Sequence, residues 1–145
     1  MTQDDALDIL KTGCNVFLTG QAGSGKTFLL NRYIEYLREH NVGVAVTAST
    51  GIAATHMNGM TIHSWSGIGI KDELNEMEMR EIFRKRHVNE RFRNTSVLII
   101  DEISMLHGHR LDLVQKVARA FKNNFVAPSG AHWCRQATFL NNNSP

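Results

Sequence analysis

The chain has 145 residues, of which 42% are hydrophobic, and a formal net charge of +2 at pH 7. That length allows one domain with a packed core but not two, and so small a charge does not by itself indicate nucleic acid. No apolar run approaches the roughly 18 residues of a membrane span, and the acidic N-terminus lacks the apolar stretch of a signal peptide. Cys14 and Cys134 form no CxxC motif, which is typical of a reducing compartment. We therefore expect an intracellular protein that does not contact a membrane.

The first forty residues alternate between helical and extended patterns. Residues 3–11 carry apolar side chains at helical spacing, which predicts a helix that ends before Gly13. The apolar run that follows predicts a strand over residues 15–19. Apolar positions at helical spacing then predict a second helix over residues 28–40. Between this strand and this helix lies the segment GQAGSGKT, residues 20–27.

That segment fits the pattern GxxxxGK[ST] of a phosphate-binding loop. Glycines let the backbone turn its N–H groups towards phosphate oxygens, and the helix that follows adds the positive end of its dipole. We expect ATP here, with Lys26 on the β- and γ-phosphates and the Thr27 hydroxyl on Mg²⁺. The alternative, a chance glycine-rich turn, is disfavoured by the strand before it and the helix after it. The expected nucleotide contacts are Gly20, Gln21, Ala22, Gly23, Ser24, Gly25, Lys26 and Thr27.

The middle of the chain continues the alternation of strand and helix. Residues 42–46 predict a strand and residues 51–57 a short helix, followed by a turn at Asn58-Gly59. Residues 61–69 are rich in hydroxyls, rings and glycines and predict a loop. From Lys71 to Asn94 an acidic stretch gives way to a basic one. Two interpretations of that stretch stay open, a DNA-facing patch or a solvated helix with charges of both signs.

A second constellation indicates a reaction. The apolar run from Val97 to Ile100 predicts a strand buried on both faces, and it ends in Asp101-Glu102. In a parallel sheet the strands' carboxyl ends share one edge with the phosphate loop, so we expect Asp101 to hold Mg²⁺ and Glu102 to activate the attacking water. Lys26, Asp101 and Glu102 are then the catalytic residues. Two exposed acids that merely end a strand are the alternative.

Residues 111–121 predict a further amphipathic helix. Strands that alternate with helices in this way indicate an α/β domain of three layers with a mostly parallel sheet.

The order of these segments resembles the petite-integration-frequency helicase family, superfamily 1 enzymes that move 5′ to 3′ on single-stranded DNA. Three strings carry the resemblance: NVFLTGQAGSGKT at 15–27, VTASTGIAATHMNGMTIHSWSGIGI at 46–70 and VLIIDEISML at 97–106. The resemblance implies a RecA-like P-loop ATPase lobe over residues 1–125 and ATP-dependent unwinding that serves DNA repair, recombination and telomere maintenance. It also implies a monomer that acts on single-stranded and 5′-tailed duplex DNA, in the nucleus or the mitochondrion of a eukaryote.

The resemblance assigns further site residues. Gln3 occupies the place of an adenine-reading glutamine, while an exposed N-terminal residue is the other interpretation. The DNA backbone is expected at Ser49, Thr50, Gly51, His63 and Ser64. Without the resemblance, the segment around Ser49 and Thr50 would be interpreted as a hydroxyl-rich turn. Trp65 has two open interpretations, a ring that stacks on a base or a ring of the core.

The resemblance ends near Phe125. Family members continue through PFGG, a strand that ends in GDF, and QLPP before a second lobe, whereas this chain reads VAPSGAHWCRQATFLNNNSP. Read one base out of frame, the codons of residues 128–131 allow Pro-Phe-Gly-Gly, those of 136–139 allow Gly-Asp-Phe, and those of 143–145 allow Gln-Leu-Pro. The run of asparagines adds residues that the family lacks. We therefore interpret residues 126–145 as an aberrant, out-of-frame tail; an unrelated polar tail is the alternative.

This interpretation makes the chain a C-terminally truncated first lobe. We expect the sheet to lack the strand that should follow the last helix, and the fragment to be unable to unwind DNA, because unwinding needs two lobes that alternately grip the strand. A non-catalytic module that binds ATP or DNA is the alternative function. A third hypothesis, a P-loop kinase that acts on small molecules, is disfavoured by the Asp101-Glu102 pair.

Overall fold

The computed structural model describes residues 1–21, 23–124 and 136–141, with side chains up to residue 121. Its helices are α1 (Gln3–Lys11), α2 (Lys26–Glu39), α3 (Gly51–His56), α4 (Ile62–Ser66), α5 (Glu76–Arg84), α6 (Arg86–Asn94) and α7 (Gly108–Asn124). Its strands are β1 (Val16–Thr19), β2 (Val44–Ala48), β3 (Met60–Thr61), β4 (Val97–Asp101) and β5 (Gln136–Asn141). A short 3₁₀ helix, Ile103–Met105, separates β4 from α7.

The five strands form one parallel sheet in the order β1-β5-β4-β2-β3. Strand β4 is central, and its residues alternate between two cores: Val97 and Ile99 face α1 and α2, whereas Leu98 and Ile100 face the side of α4 to α7. An apolar strand with no polar face is what a sheet covered on both sides requires. The predicted three-layer α/β fold with a parallel sheet is therefore confirmed.

Helix α1 matches its predicted bounds because its start is capped. The Thr2 hydroxyl accepts from the Asp5 N–H at 3.1 Å, and the Asp5 carboxylate accepts from the Thr2 N–H at 3.1 Å. This reciprocal capping box satisfies two backbone donors that a helix end otherwise leaves unpaired.

Strand β2 begins two residues later than predicted. The Val42 N–H donates to the Leu37 carbonyl at 2.9 Å, and Asn41 takes a positive φ of 56°. Val42 therefore belongs to the turn that closes α2, which is a common way to satisfy the last carbonyls of a helix.

The predicted loop over residues 61–69 is wrong in part, because it contains the last residue of β3 and all of α4. The Thr61 hydroxyl caps α4 by accepting from the Ser64 N–H at 3.2 Å, and Gly67 ends the helix at φ 80°. Trp65 lies inside this helix, is 4% exposed and has its ring centroid 4.8 Å from that of Phe92. Its ring is therefore part of the core and not a surface for base stacking.

The charged stretch from Lys71 to Asn94 forms two helices and not one. Lys85 separates α5 from α6 with an extended backbone, φ −71° and ψ 109°. Each helix buries a narrow apolar face, and the members of those faces are Met79, Ile82, Phe83, Val88 and Phe92. The interpretation as solvated helical structure accounts for the charged side chains of this stretch, most of which are exposed.

The expected loss of the strand after α7 is wrong. Strand β5 lies between β1 and β4, pairing Thr138 with Val16 on one side and with Ile99 on the other. The rest of the interpreted tail, residues 126–135 and 142–145, lies outside the described residues. None of the helices that the structure describes is long and apolar enough to cross a bilayer.

Phe92→Ala tests the core beneath α4 to α7. Phe92 is fully buried and stacks on Phe121 at 5.2 Å between ring centroids, so its loss should cost about 3–5 kcal/mol of unfolding free energy. Chemical denaturation measures that free energy. Phe17, which is 57% exposed on β1, gives the control Phe17→Ala, and equal losses for the two variants would contradict this packing.

Candidate active site

The loop after β1 is arranged around the ammonium group of Lys26, the first residue of α2. Lys26 Nζ donates to the Gly20 carbonyl at 2.6 Å, to the Gln21 carbonyl at 2.6 Å and to Ser24 Oγ at 3.0 Å. These bonds match the three N–H donors of a lysine. The side chain is only 8% exposed, so its charge is confined to the interior of the loop. Ala22 lies outside the described residues.

Glycine is required at two turns of this loop. Gly23 has φ 80°, and Gly25 has φ 86° and is the cap residue of α2. A side chain at Gly25 would also overlap Nε2 of Gln3. The Gln3 amide therefore touches the loop, although the two residues are far apart in the sequence. Thr27 follows on the first turn of α2 and is exposed.

Gln3 owes this position to the attachment of α1 to α2. The Arg32 guanidinium on α2 bonds the Asp4 carboxylate at 3.0 Å, and the apolar residues Leu7 and Leu10 pack into the core that α2 lines. The sequence predicted helix α1, but the contact between Gln3 and the loop after β1 depends on the packing of α1 against α2.

Asp101 and Glu102 follow at the carboxyl end of β4. Asp101 Oδ1 accepts from the Glu102 N–H at 2.8 Å. Burial raises the pKa of Asp101 above its ordinary range, the Glu102 charge raises it further, and the charges of Lys26 and His56 act in the opposite direction. The Lys26 ammonium is thus near enough to Asp101 to act on its titration. The loop and the carboxylate lie at the same edge of the sheet, as the sequence predicted.

Glu102 has a left-handed backbone, with φ 58° and ψ 43°. Such a conformation costs a residue other than glycine about 1–3 kcal/mol and is found most often at functional sites. Here it is supported by Ser49, whose hydroxyl donates to the Glu102 carbonyl at 2.7 Å. The sequence offered no signal for this conformation.

Ser49 also joins β2 to β4. Its N–H donates to the Asp101 carbonyl at 3.1 Å, and the neighbouring Thr47 hydroxyl donates to the Ile99 carbonyl at 2.7 Å. Ser49 is 8% exposed. Its one hydroxyl proton is committed to Glu102 and does not point to solvent, where a DNA phosphate was expected to meet it.

Thr50 and Gly51 occupy the start of α3. The Thr50 hydroxyl accepts from the Ala53 N–H at 3.2 Å and so caps the helix. Gly51 is exposed, and a side chain there would meet no atom within 4 Å. An approaching backbone phosphate would therefore meet no steric obstacle at Gly51.

His63 and Ser64 lie on α4, further along the same segment. Ser64 is exposed and His63 is half-buried. Burial lowers the pKa of His63 from its ordinary 6.5, and the nearby Arg110 charge lowers it further. This shift favours the neutral form of the imidazole at pH 7.

Two arginines that contact residues 64–72 were not singled out as site residues from the sequence. Arg91 of α6 donates from Nη1 to the Ser64 carbonyl at 3.1 Å. Arg110 of α7 reaches the segment that follows α4. Both guanidinium groups donate hydrogen bonds to backbone carbonyls, and such contacts cannot be predicted from a residue pattern. In the described part of the chain, no group of three or more His, Cys, Asp or Glu side chains is placed to hold a metal.

A phosphate-binding loop after one strand and a carboxylate pair after another meet at one edge of a parallel sheet. This is how P-loop nucleotide-binding domains of the RecA-like type are built, and the domain is of that class. The sequence model of the PIF1-like helicases matches residues 4–131. The chain belongs to that family, which confirms the resemblance found in the sequence.

Curated relatives and solved structures agree with this assignment. The chain is 64% identical over 124 residues to "ATP-dependent DNA helicase Pif1" of Psychrobacter sp. (strain PRwf-1), and 42% identical over 123 residues to "ATP-dependent DNA helicase PIF1" of Candida albicans. These alignments cover 86% and 84% of the chain but only 19% and 14% of the relatives. The chain thus spans less than a fifth of either relative.

The crystal structure of the Candida albicans Pif1 helicase superposes with a TM-score of 0.83 at 36% identity, over 97% of this chain and 32% of that one. Bacteroides Pif1 bound to single-stranded DNA gives a TM-score of 0.64 at 26% identity, over 97% of this chain and 31% of that one. A Bacteroides Pif1 complex with ADP-AlF4 gives 0.66 at 25% identity, with the same coverage.

Asp101→Asn tests the electrostatics of the strand end. Because burial raises the pKa of Asp101, its ionised form lowers stability above the folded-state pKa, and this cost vanishes below the ordinary value of 3.8. Without metal or nucleotide, Asp101→Asn should therefore melt at a higher temperature than the unsubstituted chain at pH 7. The difference should shrink as the pH falls towards 3.8.

Thermal melts at several pH values measure this difference. Asp112, an exposed carboxylate on α7, supplies the control Asp112→Asn, which should show no comparable gain. A melting temperature for Asp101→Asn below that of the unsubstituted chain at pH 7 would contradict the assigned direction.

Proposed function

We propose that this chain provides the first nucleotide-binding lobe of a helicase that hydrolyses ATP to move 5′ to 3′ along single-stranded DNA. One observation carries the proposal: the buried Lys26 ammonium is held by three oxygens of a glycine-rich loop, at the same edge of the parallel sheet as Asp101. Family membership supports the same function.

ATP binds through its phosphates in this proposal. Phosphate oxygens take the place of the Gly20 and Gln21 carbonyls as acceptors for Lys26 Nζ, while N–H groups from Gly20 to Thr27 turn towards them. Gln3, whose amide touches Gly25, is the proposed adenine contact, because an amide both donates and accepts.

Thr27 and Asp101 fit Mg²⁺. Burial opposes the charge of Asp101, so a cation beside that carboxylate would compensate for the burial. Mg²⁺ commonly takes one or two protein oxygens and completes its shell with water and phosphate, which explains why the described residues need no cluster of acids. When bound, the ion would neutralise charge on the β- and γ-phosphate oxygens.

Glu102 is the proposed general base. The left-handed backbone of Glu102 and the Ser49 hydrogen bond to its carbonyl fix the position of its Cα atom, from which the side chain extends. In this proposal the Glu102 carboxylate takes the proton of the attacking water. Lys26 and Asp101 complete the proposed catalytic set by binding phosphate and metal.

Single-stranded DNA is the proposed partner at the neighbouring segments, with 5′-tailed duplex as the substrate. Thr50, Gly51, His63 and Ser64 are the proposed backbone contacts, and Ser49 acts behind them by joining β2 to β4. Contacts of this kind position the strand without reading its sequence. A related Bacteroides structure holds single-stranded DNA, which supports this partner.

Cellular roles follow from the family in this proposal. We place the protein inside the cell, in the nucleus or mitochondrion if its source is eukaryotic, and in DNA repair, recombination and telomere maintenance. A single copy is proposed to act on one 5′ tail, and sedimentation with and without DNA tests that stoichiometry.

The boundary of the lobe is also a proposal. Residues 1–125 form the first lobe, and residues 126–145 arise from a shifted reading frame. Strand β5 suits either origin of the tail, since Thr138, Phe139 and Leu140 favour a strand whatever event placed them in the chain. Sequencing of the transcript around Phe125 tests this point, and an uninterrupted frame without recoverable GDF and QLP would exclude it.

A second candidate function is a non-catalytic module that binds ATP or DNA. The Lys26 loop would bind phosphate in such a module as well, so nucleotide binding alone does not separate it from a helicase. An unwinding assay with a 5′-tailed duplex separates the two functions. We expect no strand release by the 145-residue chain alone.

Lys26→Ala should strongly weaken the binding of ATP. The substitution removes a buried cation whose three hydrogen bonds form the interior of the loop, so both charge and loop shape are lost. Titration with a fluorescent ATP analogue measures the affinity. Lys116→Ala removes an exposed lysine from α7 and should bind like the unsubstituted chain; equal affinity for the Lys26 variant would refute this site.

Glu102→Gln separates binding from hydrolysis. In a chain extended by a second lobe, the variant should keep its ATP affinity and lose turnover by about 10²-fold or more, since an amide cannot accept the proton. Steady-state phosphate release measures turnover. Glu73→Gln removes an exposed carboxylate and serves as the matched control, and undiminished hydrolysis by the Glu102 variant would place the base elsewhere.

A further inference from the structure

Arg110, near the start of α7, holds the segment that follows α4. Its Nη1 donates to the carbonyls of Gly69 at 3.4 Å and Lys71 at 3.5 Å. Its Nη2 donates to the Ile70 carbonyl at 3.4 Å and to Asp72 Oδ1 at 2.9 Å. The Arg110 side chain is only 19% exposed. One guanidinium group therefore spans four successive residues, 69–72.

This segment is connected to the proposed DNA contacts. The Gly69 N–H donates to the His63 carbonyl at 3.0 Å, so the chain folds back on α4 directly after it. The Arg110 charge also lowers the pKa of His63, second to burial, which places the guanidinium near the imidazole. Arg110, Gly69 and His63 thus form one continuous set of contacts.

Apolar burial does little to hold residues 69–72. Gly69 has φ 57°, and Ile70 is 93% exposed. Polar contacts remain: the Arg110 bonds, a 3.4 Å contact between His109 Nε2 and Asp72, and an exposed pair of Lys71 with Glu78 at 3.4 Å. Among these, Arg110 is the most buried donor and reaches the most acceptors. The conformation of the segment should therefore depend on it.

Arg110 is also close in sequence to the proposed general base. It lies eight residues after Glu102 on the helix that follows β4 and the 3₁₀ helix. We propose that Arg110 is a positioning residue, which fixes residues 69–72 and, through Gly69, the turn of His63 and Ser64 that meets DNA. This inference rests on the proposed DNA-binding function.

A positioning role differs measurably from a phosphate contact. Each phosphate that a protein neutralises on single-stranded DNA contributes about −0.7 to the slope of log affinity against log salt. The donors of Arg110 are engaged by protein oxygens. Its loss should therefore lower DNA affinity at every salt concentration without changing the slope.

The test compares Arg110→Ala, Arg110→Lys and Arg119→Ala in the 145-residue chain. Fluorescence anisotropy with a labelled oligo-dT over a series of salt concentrations gives affinity and slope. We expect Arg110→Ala to bind oligo-dT severalfold more weakly, with the salt slope unchanged. Arg110→Lys should recover only part of the lost affinity, because a lysine ammonium cannot bond several carbonyls and a carboxylate at once as the planar guanidinium does. Arg119→Ala, which removes an exposed charge from the same helix, is the matched control and should differ little.

Hydrogen exchange provides a readout that does not depend on DNA. The amides of Gly69 and Lys71, which donate to the His63 and Ile68 carbonyls, should exchange faster in Arg110→Ala than in Arg119→Ala. The β4 amides should keep their protection and so report an intact fold.

Unchanged exchange at these two amides would overturn the positioning role. A shallower salt slope with unchanged exchange would instead make Arg110 a direct phosphate contact, which also overturns it. If the unsubstituted chain binds no oligo-dT, the proposed DNA function fails, while the exchange result still decides whether Arg110 holds the segment.

Discussion

The hydrogen bonds that Ser49 makes across the end of the sheet join the two halves of the site. Its N–H and hydroxyl reach the Asp101 and Glu102 carbonyls, and the register of β2 with β4 sets Ala48 opposite Asp101. The carboxylates proposed for hydrolysis and the segment proposed for DNA therefore begin at the same level of two adjacent strands. If the end of β2 moved relative to the end of β4, the hydrogen bonds of Ser49 to β4 would break. Ser49 is almost fully buried, and leaving buried polar groups without hydrogen bonds is costly in free energy.

The phosphate loop is arranged around the ammonium group of Lys26. Lys26 takes two backbone carbonyls and one hydroxyl as acceptors, so its charge is solvated by the loop itself. Phosphate oxygens offer the same chemistry with greater charge, and an ammonium with three donors can exchange one set for the other. Glycine at positions 23 and 25 permits the positive φ angles that direct the backbone around this group. The backbone of the loop is thus folded around this cation.

The sequence predicted the elements whose cause is local. Helix α1, the strand before the phosphate loop and the apolar β4 follow from nearby residues, and a parallel sheet then sets Lys26 and Asp101 at one edge. The start of β2 was misplaced because Val42 bonds back to Leu37, and α4 was missed because a hydroxyl-rich segment suits a cap as well as a loop. The strained Glu102, the Ser49 bonds and the roles of Arg91 and Arg110 depend on residues distant in sequence that meet at backbone carbonyls. No residue pattern signals such contacts.

The central claim is that Lys26 exchanges the loop's own oxygens for those of a bound triphosphate, beside a metal held by Thr27 and Asp101. A crystal structure of this chain with a non-hydrolysable ATP analogue and Mn²⁺, located by its anomalous signal, tests it most directly. The account predicts Lys26 Nζ within hydrogen-bonding distance of the β- and γ-phosphates, away from the Gly20 and Gln21 carbonyls, with the anomalous peak next to Thr27 and Asp101. Nucleotide bound elsewhere, or Lys26 still bonded to the two carbonyls beneath a bound triphosphate, would contradict it.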